Sequence, residues 1–292
     1  MAGNFVQLHN HTHYSLLDGA SKVPDLVKRV KELGMPAVGI TDHGNMHGAY
    51  ELWRAAVDSG VKPIIGIEAY VTPETARQDK TRVSWDTNWT PVPGHARNPD
   101  DVSGGGLITH LTMWAENDEG LVNLIKASSV ANLEGRVMRY PRMDKEVLST
   151  YSKGVIASSG CPSGIIQTRL RLGQFDEALR AAGEFQDIFG KDNFYIELMD
   201  HGLSIESKVT GDLLTIAKKL GAPLLATNDS HYVMEADKDA QDAMLCINSG
   251  ATLDDPNRFK FEGSEYYIKS AEEMRELFKD HPDACDNTLE IA

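Results

Sequence analysis

The sequence predicts an α/β fold on two observations. Short apolar runs of strand length recur along the chain, and each gives way to polar or glycine-rich residues and then to a stretch with helical periodicity. The runs are FVQLH (5–9), AVGITDH (37–43), PIIGIEAYV (63–71), LITHLTMWA (107–115), GVIASSGC (154–161), FYIELMDH (194–201) and PLLATNDSH (223–231). Seven runs with no obvious break favour one closed barrel of parallel strands ringed by helices over an open doubly wound sheet. In such a barrel the functional groups sit at the C-terminal strand ends.

Between the runs, VPDLVKRVKELG (23–34) sets Val23, Leu26, Val27, Val30 and Leu33 on one helical stripe, with proline near its start and glycine at its end. The same reading holds for residues 48–60, 119–135, 176–190 and 205–221. Residues 72–106 are the exception. They are rich in Pro, Gly, Asp, Asn and Thr without either periodicity, which predicts a long surface loop that Trp85 and Trp89 pin to the body rather than expose as an interaction patch.

The chain has 292 residues and a net charge of −14, which argues against a broad electrostatic grip on nucleic acid or on an anionic membrane. Any phosphate chemistry must use a local positive charge. Cys161, Cys246 and Cys285 are too few and odd in number for a disulfide framework, which points to a reducing compartment. With no apolar run near the roughly 18 residues of a membrane span and no secretory leader, the expected location is the cytoplasm, with no membrane partner.

Metal-ligand residue types stand at the strand ends. His9, His11 and Asp18 follow the first run, His43 the second, and Glu68 lies in the third. His110 is in the fourth, Cys161 ends the fifth, and Asp229 and His231 end the seventh. His9 and His11 are two apart, as are Asp229 and His231, so on extended chain each pair projects to one face. Histidine, carboxylate and thiolate together favour zinc or a similar first-row ion, and nine such residues exceed the needs of one tetrahedral ion. Singly, Asp18 reads as a helix cap and Cys161 as a small buried hydrophobe. His95, His201 and His281 read as satisfied polar residues, and His13 and His47 are open either way. Six of seven strand ends offering a ligand type decides for metal. Gly19, Gly44 and Gly160 fit, since loops beside a site must turn tightly.

Together HNHTHYSLLDG, GITDHGNMHGAYEL, IIGIEAYV, the histidine of LITHLTMWA, SSGCPSG and TNDSHY resemble the PHP (polymerase and histidinol phosphatase) domain. The likeness is greatest to the PHP domain that opens the alpha subunit of bacterial DNA polymerase III. It implies one PHP domain over 1–292, a distorted seven-stranded (β/α)7 barrel with an insertion at 72–106. Residues 270–292 would begin the connection to a polymerase region that this sequence lacks, so the chain could not synthesise DNA by itself.

The resemblance also implies three divalent ions, zinc in the first instance, with manganese or iron at some positions. It gives His9, His11, Glu68 and Asp229 to one ion, Glu68, His110 and Cys161 to a second, and Asp18, His43 and His231 to a third. Since no ligand is missing, it points to the active type, a metal-dependent 3′-5′ exonuclease that removes misincorporated nucleotides. The expected partners are a DNA 3′ end (single-stranded or a frayed primer terminus), the polymerase region of the parent chain and replisome subunits. Water activated at ions held by Asp18, Glu68 and Asp229 would attack phosphorus. His201 is the non-ligand candidate for a helper, with a surface role as its other reading. The competing functions are a free-standing small-molecule phosphatase of the histidinol-phosphatase type and a metal-stabilised, non-catalytic scaffold.

Overall fold

The structure is a computed structural model that describes residues 4–92 and 97–292; His95 lies outside the described residues. Among those residues, seven strands alternate with helices, as the apolar runs predict. The strands are β1 (Ala37–Ile40), β2 (Lys62–Val71), β3 (Thr109–Ala115), β4 (Arg142–Met143), β5 (Val155–Ser158), β6 (Phe194–Leu198) and β7 (Leu224–Ala226). The predicted helices form as Val23–Glu32, Ala49–Ser59, Asp118–Glu134, Phe175–Phe189 and Ser204–Leu220. In the first of these Val23, Leu26, Val27 and Val30 are buried, and Leu33 is its half-buried C-cap.

The strand list differs from the seven runs at two places. Residues 5–9 form no strand: Gln7 bridges Val38 and Asn10 bridges Ser230 singly. The Asn10 side chain adds its own links there, its amide donating to Gln7 O at 2.9 Å and Gly39 O at 2.8 Å beside the Gly39 N–H to Gln7 O bond at 2.8 Å. The other difference is β4, which is too short to carry a periodic signal.

The chain divides into two compact units. The first comprises Met1–Ile67, Leu198–Leu203 and Leu225–Ala292, and the second Glu68–Glu197 and Ser204–Leu224. In the first, β1 pairs in parallel with the start of β2, from Ala37 opposite Lys62 to Ile40 opposite Ile65. Phe5, Leu8, Leu26, Ile40 and Leu52 are fully buried there. In the second unit the end of β2 pairs in parallel with β4, and β5 in parallel with β6. There β3 and β5 run antiparallel, Met113 opposite Ala157, which corrects the expectation of parallel strands throughout. The chain between them passes through helix Asp118–Glu134, β4 and helix Lys145–Thr150 and enters β5 in the reverse direction.

Within the second unit the described part of the 72–106 loop is fastened by side chains rather than by secondary structure. Trp85 is buried under the Arg169 guanidinium, 3.7 Å from its ring centre, and its carbonyl accepts from Gln174 Nε2 at 3.0 Å. The Asp101 carboxylate accepts from the backbone N–H of Trp85 and of Val102. Arg142, fully buried, donates to the carbonyls of Gly135, Leu107, Arg77 and Asp79. Trp85 is thus the pin that the sequence predicts, whereas Trp89 is half-buried.

Arg142→Met leaves four carbonyl acceptors without their donor. Losing charge-assisted hydrogen bonds in a buried site is expected to cost about 3–5 kcal/mol, read as a lowered midpoint in urea unfolding; a midpoint equal to that of the parent chain refutes the clasp.

Candidate metal centre

In the first unit, six of the predicted residues come together. His9 Nε2 lies 3.3 Å and His11 Nε2 3.0 Å from the same oxygen, Asp229 Oδ1. His43 Nε2 is 2.8 Å and His231 Nε2 3.6 Å from Asp18 Oδ2. The His11 ring stacks on His43 at 4.1 Å and on His231 at 4.3 Å. His9 and His11 are entirely buried, and Asp229 and His231 nearly so. Two triplets, His9-His11-Asp229 and His11-His43-His231, each present ligand atoms within 4.8 Å of one another.

The local chain explains this convergence. His9 and His11 flank Asn10, whose own backbone bridges Ser230, so the two imidazoles leave on one side toward the Asp229–His231 turn. The loop then folds back so that a Cβ on Gly19 would stand 2.3 Å from Thr12 O, which only glycine allows. Gly44, at φ 63°, makes the turn after His43.

Hydrogen bonds away from the centre fix which ring nitrogens face into it. Ser15 Oγ donates to Asp42 Oδ1 at 2.7 Å and accepts the His43 backbone N–H at 3.1 Å. Its single hydrogen is spent on Asp42, so its 2.9 Å contact with His11 Nδ1 requires the proton on that ring nitrogen. His11 Nε2 is left as a lone-pair donor toward Asp229. His231 behaves alike: Nδ1 lies 2.8 Å from the Asp229 carbonyl, which can only accept, and Nε2 faces Asp18.

Electrostatics follow from the crowding. Burial first, then the His43 and His231 rings, push the His11 pKa down to about 3, so the ring is neutral at physiological pH. Burial alone would raise Asp18, but the His231 and His43 imidazoles hold its carboxyl well below the usual range. Asp229 is likewise held low against burial, by His9, His231 and His11. His231 is raised despite burial, by Asp229 and Asp18.

In the second unit, Glu68 is buried within β2 and its Oε1 lies 3.2 Å from His110 Nδ1. Cys161 Sγ is 3.4 Å from the same nitrogen. Carboxylate, imidazole and thiol again share a few ångströms, a donor set suited to a first-row ion. The donor chemistry and the inward lone pairs in both units fit divalent metal.

The other histidines lie elsewhere. His13 is part exposed, its Nε2 3.9 Å from Glu51; His47 is exposed, and His281 is half-buried as the N-cap of helix Pro282–Ile291. His201 is buried, which removes the surface reading: its Nε2 is 2.8 Å from Asn228 O and its ring stacks on Tyr266 at 4.1 Å. Thr12 and Ser15 are the residues that sequence reasoning missed, along with the supporting role of Asp42 beside His43 at the second strand end. The available signal was a buried-type Asp beside His43 and a serine four residues after His11.

The family model described as PHP domain matches residues 7–201 of the chain. The chain belongs to the PHP domain family. The matched span contains His9, His11, Asp18, His43, Glu68, His110 and Cys161; Asp229 and His231 follow it. Over nearly its whole length the PHP chain is also similar to curated proteins described as DNA polymerase III subunit alpha. It is 53% identical to that of Mycobacterium leprae over 290 residues, 99% of this chain and 24% of that protein. It is 54% identical to that of Saccharopolyspora erythraea over 289 residues, 99% of this chain and 24% of that one. For Borreliella burgdorferi the identity is 42% over 288 residues, 99% of this chain and 23% of that one. The PHP chain therefore spans about a quarter of the length of these relatives. No helix among the described residues is long and apolar enough to cross a membrane.

Ser15→Ala removes the acceptor that fixes the His11 tautomer. Apparent metal affinity of the PHP domain is expected to fall roughly 10- to 100-fold, the usual effect of losing such a support, in competition with a chromophoric chelator. His13→Ala, remote from both clusters, is expected to leave it unchanged; equal affinities for all three proteins refute the assignment.

Proposed function

We propose that this chain is the PHP domain of a DNA polymerase III alpha subunit and that it hydrolyses the phosphodiester bond at a DNA 3′ end, a 3′-5′ exonuclease in proofreading. The carrying observation is the first-unit cluster, where His9, His11, Asp18, His43, Asp229 and His231 gather around inward-facing lone pairs. Those six, with Glu68, His110 and Cys161 of the second unit, are the proposed ligands of three divalent ions. Zinc is proposed first, with manganese or iron at some positions. Such ions, when bound, lower the pKa of water toward neutrality and offset charge on phosphate oxygens.

The side chains supply what that chemistry needs. Asp18 and Asp229 are ionised at neutral pH and His11 is neutral, so each is ready to hold a cation without first losing a proton. Asp18 and Asp229 in the first unit, and Glu68 in the second, would hold the ions whose bound water attacks phosphorus. His201, the non-ligand helper, holds Asn228 O and with it the turn that carries Asp229. Three carboxylates and a thiolate against three divalent ions leave a positive centre within an acidic chain, which draws one phosphate without a general grip on DNA.

DNA synthesis belongs to the polymerase region of the parent chain, and this chain does not polymerise alone. That region and the replisome subunits are its proposed partners, in the cytoplasm. The identity to alpha subunits over 99% of the chain supports this reading over a free-standing phosphatase.

Asp18→Asn, Glu68→Ala and His231→Ala are each expected to lower chelator-sensitive release of nucleotide from a 3′-labelled single strand at least about 100-fold, the scale of a removed charge-stabilising group, with circular dichroism unchanged. Hydrolysis at the parent rate by any metal-loaded variant overturns the assignment. Phosphomonoesters cleaved without any exonuclease activity would establish the phosphatase instead, and full metal loading with no hydrolysis a scaffold.

A further inference from the structure

In the second unit, helix Ile165–Arg171 follows the Cys161 turn and buries two polar side chains, Gln167 and Arg171, 4% and 7% exposed. They are four residues apart, so both leave the helix on one face. Burying an amide and a guanidinium is costly unless their hydrogen bonds are made inside. Gln167 Nε2 donates to Gly160 O at 2.6 Å and to Ser159 Oγ at 3.3 Å. A carbonyl only accepts, so the Gln167 amide presents its nitrogen there. Arg171 Nη1 donates to Pro162 O. The carbonyls immediately before and after Cys161 are therefore both held from one helix face.

The ion pair that Arg171 makes is long, Nε to Asp100 Oδ1 at 3.8 Å, and that carboxylate is half-exposed, so water screens it. Its closer contacts go to carbonyls. Besides Pro162 O, Nη2 donates to Asp100 O at 3.1 Å, which brings in the end of the 72–106 loop. One side chain thus joins that loop, its own helix and the Cys161 turn. The backbone completes the cradle, with the Gly164 N–H donating to Cys161 O at 2.8 Å and the His110 N–H to Ser163 O at 3.1 Å. The second of these bonds ties the turn to β3 beside His110, whose Nδ1 is 3.4 Å from Cys161 Sγ.

We propose that Gln167 and Arg171 are positioning residues for Cys161, fixing the two peptide groups around it so that its sulfur stays beside His110 and can share an ion with it. Neither residue touches the ion; each acts through a carbonyl next to Cys161. A helix that served the fold alone would pack that face as well with apolar residues of similar size. The role rests on the metal centre proposed above, with Cys161 as one of its ligands.

The test is absorption spectroscopy of the whole chain titrated with cobalt(II). A cysteine thiolate on cobalt gives a near-ultraviolet charge-transfer band, and Cys161→Ser identifies the part of it that belongs to Cys161. Gln167→Met and Arg171→Met are each expected to weaken cobalt binding read at that band roughly 10-fold or more, the scale of losing a support behind a ligand. Arg171→Lys, which keeps a donor for Pro162 O, is expected to recover part of the loss. Leu170→Ala opens a cavity at a buried apolar position of the same helix; it is expected to lower the urea midpoint and leave cobalt affinity at the parent value. If Arg171→Met does not fold, Gln167→Met and Arg171→Lys carry the test. Parent affinity and band intensity in both Met variants overturn the positioning role and leave the metal centre standing. An equal loss in Leu170→Ala overturns it as well, since fold stability would then account for the effect. A parent chain with no Cys161-dependent band refutes Cys161 as a ligand, and the positioning role falls with it.

Discussion

The Asp42 carboxylate, two residues beyond β1, is the support on which the first-unit cluster depends. It is almost fully buried and accepts from the Thr12 backbone N–H at 2.7 Å, from the Thr12 hydroxyl and from Ser15 Oγ. Burial raises its pKa, while these donors work the other way. The arrangement clamps the His9–Asp18 loop to the start of the His43 loop. Through Ser15 it also sets the His11 tautomer. A buried carboxylate is costly unless fully hydrogen-bonded, and here those same hydrogen bonds position the residues around the metal ligands.

A cluster built this way is electrostatically unfinished. Four imidazoles and two carboxylates share a nearly dry volume, and the pKa displacements of His11, Asp18, Asp229 and His231 all describe groups adjusting to one another. A bound cation would complete the set, since removing buried charges from water is repaid only by close partners.

Much of this was legible in the sequence because it depends on short spacings. The i, i+2 pairs His9/His11 and Asp229/His231 do converge on one another, and the five predicted helices appear within a residue or two of their expected bounds. What escaped depends on contacts distant in sequence. Residues 5–9 are apolar enough for a strand, yet the segment makes only single bridges, Gln7 to Val38 and Asn10 to Ser230. The antiparallel β3–β5 pair follows from a two-residue strand that no periodicity can reveal. Helix Ile165–Arg171 buries Gln167, Thr168 and Arg171 along with its apolar residues, so it lacks an amphipathic stripe. Ser15 and Asp42 are common loop residue types, and only their 2.7 Å hydrogen bond gives them a role.

Asp229 has one property that none of the other proposed ligands shares: its backbone is left-handed, at φ 42°. Among side chains with a Cβ, only Asn and Asp enter that region at little cost. Two constraints therefore meet at one position, one from the chain path and one from the ligand oxygen. Asparagine satisfies the first and keeps an oxygen without its charge, glycine satisfies the first alone, and most other residues satisfy neither. Substitutions at this position thus form a graded series from weakened to absent oxygen donor within an intact turn, so the proposed metal binding can be lost while the turn persists.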